Sequence, residues 1–144
     1  MIYLTSGQIE RINVHAVTAY PNECCGAVLG TFSGVACNAS RTVLDIFPID
    51  NQFDENEKFH RFKITPKDFL KCEKKARELN CDLIGFYHSH PDHPAKPSQY
   101  DLEHAFPVYS YLIVSVENGE PKKLTSWILA DDRREFTEEP TYHT

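Results

Sequence analysis

The chain has no block of basic residues, no apolar stretch long enough to cross a bilayer, no Cys-x-x-Cys pair, no internal repeat and no linker-like break in composition. Each absence removes a class of protein. Lys and Arg number 15 against 21 Asp and Glu, a net charge of −6 with no cationic cluster. Nucleic-acid binding and attachment to anionic membranes both need grouped cations, so neither is expected. The opening residues MIYLTSGQIE contain no basic segment followed by an apolar one, and no window nears the ~20 apolar residues of a membrane span. A soluble, cytoplasmic protein is predicted. The cysteines Cys24, Cys25, Cys37, Cys72 and Cys81 form an odd set without metal-ligand spacing, which reads as reduced thiols, several of them buried.

What is present fits one domain. A length of 144 residues with 41% hydrophobic and 25% charged residues is enough for a sizeable core and too short for two comfortable ones. We expect one domain over residues 1–138, with 139–144 a frayed tail. Ile2–Leu4 reads as a short strand, and Thr5 with Gln8 as a capping box before a helix whose apolar face is Ile9, Ile12, Ala16 and Ala19. Glu23 directly precedes a small and apolar run, Cys24 to Gly30, that reads as a buried strand. Thr31 to Gly34 reads as a turn, residues 35–46 as strand continuing toward Ile49, residues 50–58 as a solvated loop, and Phe59 to Ile64 as a short alternating strand. Thr65-Pro66-Lys67-Asp68 opens a second helix that runs to Leu79 with Phe69, Cys72, Ala76 and Leu79 at core spacing. Tyr109 to Val116 is the strongest strand signal, Asn118-Gly119 a turn, Leu124 to Leu129 another strand, and Glu135 to Thr137 a last edge strand. The fold class is therefore mixed α+β, a mixed sheet with two main helices and a short third one after Ser98.

The chemistry concentrates in GFYHSHPDHPAKPSQYD, Gly85 to Asp101. His88 and His90 stand two apart on an apolar strand, which puts both imidazoles on one face. Pro91 ends that strand, and Ser98 opens a helical turn with Asp101 three residues on. Two imidazoles and a carboxylate with a position left for water are the donor set of a catalytic zinc, one per chain. Zinc lowers the pKa of its water to about 7. Glu23 is placed to move the proton from that water to a leaving amine, and Ser98 to donate a hydrogen bond to the oxyanion.

Plainer readings stand beside these. A His-x-His pair arises in strands by chance, Glu23 alone reads as a surface carboxylate, and Ser98 and Asp101 can be an N-cap and its partner; for the last two both roles apply, because a helix's first turn keeps a carboxylate ionised. Asp92, His93, Glu103 and His104 are neighbouring alternatives left outside the set. Cys25 is a small buried residue close enough to Glu23 to support it.

His88-Ser89-His90-Pro91, Ser98 after seven intervening residues, Asp101 after two more, and the upstream Glu23 together resemble the JAMM (MPN-plus) metallopeptidase signature. The resemblance implies zinc on His88, His90 and Asp101, Glu23 as general acid/base, Ser98 as stabiliser of the tetrahedral intermediate, and a curved sheet flanked by helices, related to the cytidine deaminase fold. FHRFKITPKDFLKCEKKARE, SYLIVSV and SWIL also resemble the short bacterial Mec and QbsD-like members. Those act on small ubiquitin-like sulfur-carrier proteins and remove residues or an adduct beyond a C-terminal Gly-Gly, so such a carrier is the partner the resemblance implies. A Gly-Gly tail suits a site where an extended chain adds along a strand edge, since glycine permits close approach. The ubiquitin-gripping insertions of eukaryotic relatives find little room here. Other readings are a non-catalytic MPN scaffold, an isopeptidase acting on ubiquitin-like conjugates, a zinc deaminase lacking its Pro-Cys-x-x-Cys partner, and a two-histidine iron oxygenase. Self-association as a homodimer stays open.

Overall fold

Why the chain folds as it does is visible first at its helix starts. In the computed structural model, which describes residues 1–34 and 39–144, the elements run β1 (Ile2–Leu4), α1 (Ser6–Ala19), β2 (Cys25–Ser33), β3 (Ser40–Ile49), α2 (Pro66–Glu78), β4 (Asp82–Pro91), α3 (Gln99–His104), β5 (Ser110–Glu117), β6 (Glu120–Leu129), β7 (Phe136–Glu139) and β8 (Thr141–His143). All three helices begin with a reciprocal capping box: Thr5 with Gln8, Thr65 with Asp68, and Ser98 with Asp101. Each box satisfies backbone N–H groups that the first turn leaves without partners. Lys75 and Arg77 in the last turn of α2 complement the negative end of its dipole.

The strands form one mixed sheet in the order β7-β6-β5-β4-β2-β3-β1-β8. β4 lies inside it, antiparallel to β2 and parallel to β5. Two cores pack on the opposite faces. Ile12 and Ala16 of α1 meet Val28, Ile84, Tyr87 and Leu112, whereas Cys72 and Ala76 of α2 meet Cys25, Ala27, Leu29 and Phe86. The β2–β4 register shifts where Val28 faces Gly85 and Leu29 faces Leu83, leaving Ile84 as the extra residue. That bulge lets Ile84 and Tyr87 both join the α1 core while Phe86, and with it His88 and His90 two and four residues on, takes the α2 face. Gly26 is required beside this point, because a Cβ there would stand 2.2 Å from the Tyr87 ring.

The sheet curls until its edges meet. β7 pairs with β6 at one edge, and after Pro140 the same segment pairs with β1 at the other as β8. The tail over 139–144 is thus not frayed: Thr141 to His143 find the open side of β1, and Tyr142 stacks on Tyr3 with ring centroids 5.3 Å apart. Two further expectations change. Thr31 to Ser33 continue β2 against β3 rather than turning, and Phe59 to Ile64 form no strand. The backbone groups of that stretch are taken instead by a side chain, Asn51, which accepts from Lys63 N–H at 3.1 Å and donates to Arg61 C=O at 2.9 Å. The part of the expected strand at 35–38 lies outside the described residues.

Candidate metal centre

β4 and the start of α3 bring three donor atoms to one point. His88 Nε2 and His90 Nε2 are 3.1 Å apart, and Asp101 Oδ2 is 3.2 Å from each. His90 Nδ1 lies 2.9 Å from the Pro94 carbonyl, which can only accept, so Nδ1 carries the proton and a neutral ring turns a lone pair inward at Nε2. The Phe62 ring stacks on His88 at 4.6 Å. Asp101 Oδ2 also accepts the Ser98 N–H at 2.9 Å.

This donor set fits a metal ion. Two imidazole nitrogens and a carboxylate oxygen in a triangle cannot all be satisfied by one proton, whereas one cation satisfies all three. Tetrahedral zinc with bonds of about 2.0–2.1 Å needs donors about 3.3–3.4 Å apart, close to the 3.1 and 3.2 Å found. Burial alone would raise the Asp101 pKa, but the positive charge of His88 and hydrogen bonds from His88, His90 and the Ser98 N–H hold it well below the usual carboxylate range.

Glu23, two residues before β2, has a carboxylate oxygen within 4.8 Å of both imidazole donor atoms. It is 5% exposed, so it is not the surface carboxylate its residue type suggests. Burial first, and the charge of Asp101 second, push its pKa up to about 9. A cation at the three donors acts in the opposite sense. Ser98 accepts the Asp101 N–H through Oγ at 3.1 Å, which leaves its own O–H free to donate. The five sequence-derived positions are thereby linked, three through the donor triangle and Ser98 through the cap. Asp92 goes elsewhere, accepting from Tyr20 Oη and Asn118 N–H, and His104 Nδ1 turns to the Tyr100 carbonyl. Cys25 points its thiol at the Ile49 carbonyl, 3.6 Å away, and burial pushes the Cys24 thiol up to about 11. Neither is a nucleophile at neutral pH.

Two supporting residues had no sequence signal of their own. Buried Ser89 accepts the Cys24 N–H through Oγ at 2.8 Å, tying the His-bearing strand to the Glu23 segment. Asn51 donates to both the Glu23 and Arg61 carbonyls, at 3.0 and 2.9 Å, and accepts from Phe53 and Lys63 N–H at 3.0 and 3.1 Å. All four hydrogen-bonding positions of its amide are used.

A curved mixed sheet whose interior strand carries a buried His/His/Asp triangle, with a buried glutamate beside it, defines an α+β protein with a candidate metal centre. Residues 5–130 match the model of the prokaryotic homologs of the JAB domain, and the chain belongs to that family. A desampylase from Haloferax volcanii is 32% identical over 96 residues, and one from Pyrococcus furiosus 37% over 75. These matches take in 66% and 51% of this chain but only 63% and 50% of those proteins' own lengths. Among solved structures, a protein from Desulfitobacterium hafniense is 34% identical with a TM-score of 0.84, covering all of this chain and 93% of that one. One from Salinibacter ruber is 40% identical with a TM-score of 0.74, over 100% and 92%. A JAB1/MPN domain protein from Archaeoglobus fulgidus, 16% identical with a TM-score of 0.59 over 99% and 97%, shares the fold. No helix among the described residues is long and apolar enough to cross a membrane.

Proposed function

We propose that the chain is a zinc-dependent peptidase of the Mec and QbsD-like kind, hydrolysing the bond after a C-terminal Gly-Gly of a small ubiquitin-like sulfur-carrier protein. The observation that carries this reading is the buried donor triangle with Glu23 beside it. Zinc held by His88, His90 and Asp101 would supply a polarised water and a Lewis acid for the carbonyl. Glu23 takes a proton from water and delivers it to the leaving amine, a task for which a desolvated carboxylate within reach of the same point is suited. Ser98, fixed by its cap, offers its O–H to the developing oxyanion. β4 is paired on both sides, so a substrate tail does not extend the sheet at the His-bearing strand. It lies instead across the strand's end, against the unpaired stretch around Phe62.

Two of the relatives carry the name desampylase, which keeps isopeptidase action on ubiquitin-like conjugates as a second reading. The test is intact-mass analysis of a carrier extended beyond Gly-Gly, incubated with zinc-loaded protein. Cleavage after the second glycine is expected. Chelation should abolish it, and Glu23→Gln should lower the rate by about 10²–10⁴-fold with zinc still bound. Intact carrier with cleavage of a lysine-linked conjugate would favour the second reading.

A further inference from the structure

We propose that the cavity beside the metal centre is a subsite for the leaving residue, and that this residue is C-terminal, with an aromatic or branched apolar side chain and a free α-carboxylate. The proposal rests on the Gly-Gly reading above. The cavity holds about 540 Å³, within the range of ligand clefts, about 300–1,000 Å³. His88 and Asp101 form one wall, and Phe53, Phe62 and Phe106 line the remainder, with Lys63 also at its boundary. Whatever group flanks the reacting carbonyl therefore meets this space.

Two glycines on the carbonyl side bring no side chain to fill it, so the cavity falls to the amine side. Its aromatic wall favours an apolar side chain and penalises a polar one, which would lose water without gaining a partner. Lys63 is exposed and, among the described residues, makes no ion pair. Its ammonium complements the carboxylate that a terminal residue carries and an internal one lacks. In the reaction the C–N bond to the second glycine breaks, the carbonyl carbon gains the water's oxygen, and the amine gains its proton. The free amino acid is then released from the cavity.

The experiment uses one ubiquitin-like carrier ending in Gly-Gly-Phe, Gly-Gly-Leu, Gly-Gly-Ala, Gly-Gly-Glu or Gly-Gly-Phe-amide, cut by the full zinc-loaded chain and followed by intact mass. Phe and Leu should leave at least tenfold faster than Ala and Glu, and the amide at least fivefold slower than the acid. Lys63→Gln should erase the difference between acid and amide, and Phe106→Asp should reduce the Phe-to-Ala ratio below threefold. Alongside, free phenylalanine is titrated into the protein, with alanine as control, and the backbone NMR signals of Phe53 and Phe106 are watched. Equal rates for Phe and Ala overturn the subsite and leave the Gly-Gly reading standing. No cleavage of any carrier, with phenylalanine but not alanine moving the two signals, overturns the Gly-Gly reading and leaves the apolar subsite. No cleavage and no shift overturns both.

Discussion

A single oxygen, Asp101 Oδ2, closes the cap of α3 and stands 3.2 Å from both imidazoles. Capping fixes the carboxylate to the backbone and keeps it ionised, so donor position and helix start stand or fall together. This much was legible in the sequence, because His-x-His and Ser-x-x-Asp are short-range patterns whose geometry follows from one strand and one turn. The burial of Glu23 was not, since it depends on Lys58 C=O and Asn51, 35 and 28 residues further along the chain, taking up its backbone. Single residues also govern pH response. His15 has its pKa lowered by burial, with Asp50 opposing, and its Nδ1 accepts from Tyr87 Oη at 2.8 Å. The unfolded chain binds this proton first as pH falls below 6.5, so the stability is complete above that value and lost below it. Between pH 7.5 and 5.5 the parent should lose more melting temperature than His15→Asn, by on the order of 2 °C for a half-exposed group. Calorimetry on both proteins checks it; equal losses would remove His15 from the account.

Among the elements, the irregular stretch between β3 and α2 has no ladder and is held by one amide. Asn51 reaches the Glu23 segment at one end and the backbone before Phe62 at the other. Asn51→Ala should cost about 2 kcal/mol in urea unfolding, as partly buried N–H and C=O groups lose their partner. Amide exchange at Phe53 and Lys63 should quicken more than tenfold, while zinc affinity stays near that of the parent because the three donors come from β4 and α3. Unchanged exchange at both amides would show that another contact holds the stretch. The same stretch explains a misreading. Phe59 to Ile64 alternates like a strand, and periodicity reports which way side chains face but not whether a neighbouring strand exists to pair with. Thr31 to Ser33 failed in the opposite sense: polar residues that read as a turn are carried as strand by their pairing with Ser40 to Thr42.

At the scale of the whole molecule, the two edges of the sheet belong to one segment, with only Pro140 between β7 and β8. A buried charge pair sits at this junction: Glu139 Oε2 lies 3.5 Å from Arg41 Nη1, and Ser126 Oγ donates to Glu139 Oε1 at 2.6 Å. Burial lowers the Arg41 pKa and Glu139 opposes that. Glu139→Gln leaves a buried guanidinium without its counter-charge and should cost about 3 kcal/mol, measured by urea unfolding; a loss under about 0.5 kcal/mol, the range of an exposed pair, would show that water reaches the junction. No local pattern announces such a contact, because its partners are 98 residues apart. An open sheet can unravel strand by strand from either side. Here peeling β8 from β1 pulls on β7, and releasing β7 from β6 pulls on β8, so the sheet has no independent end at which unfolding can begin.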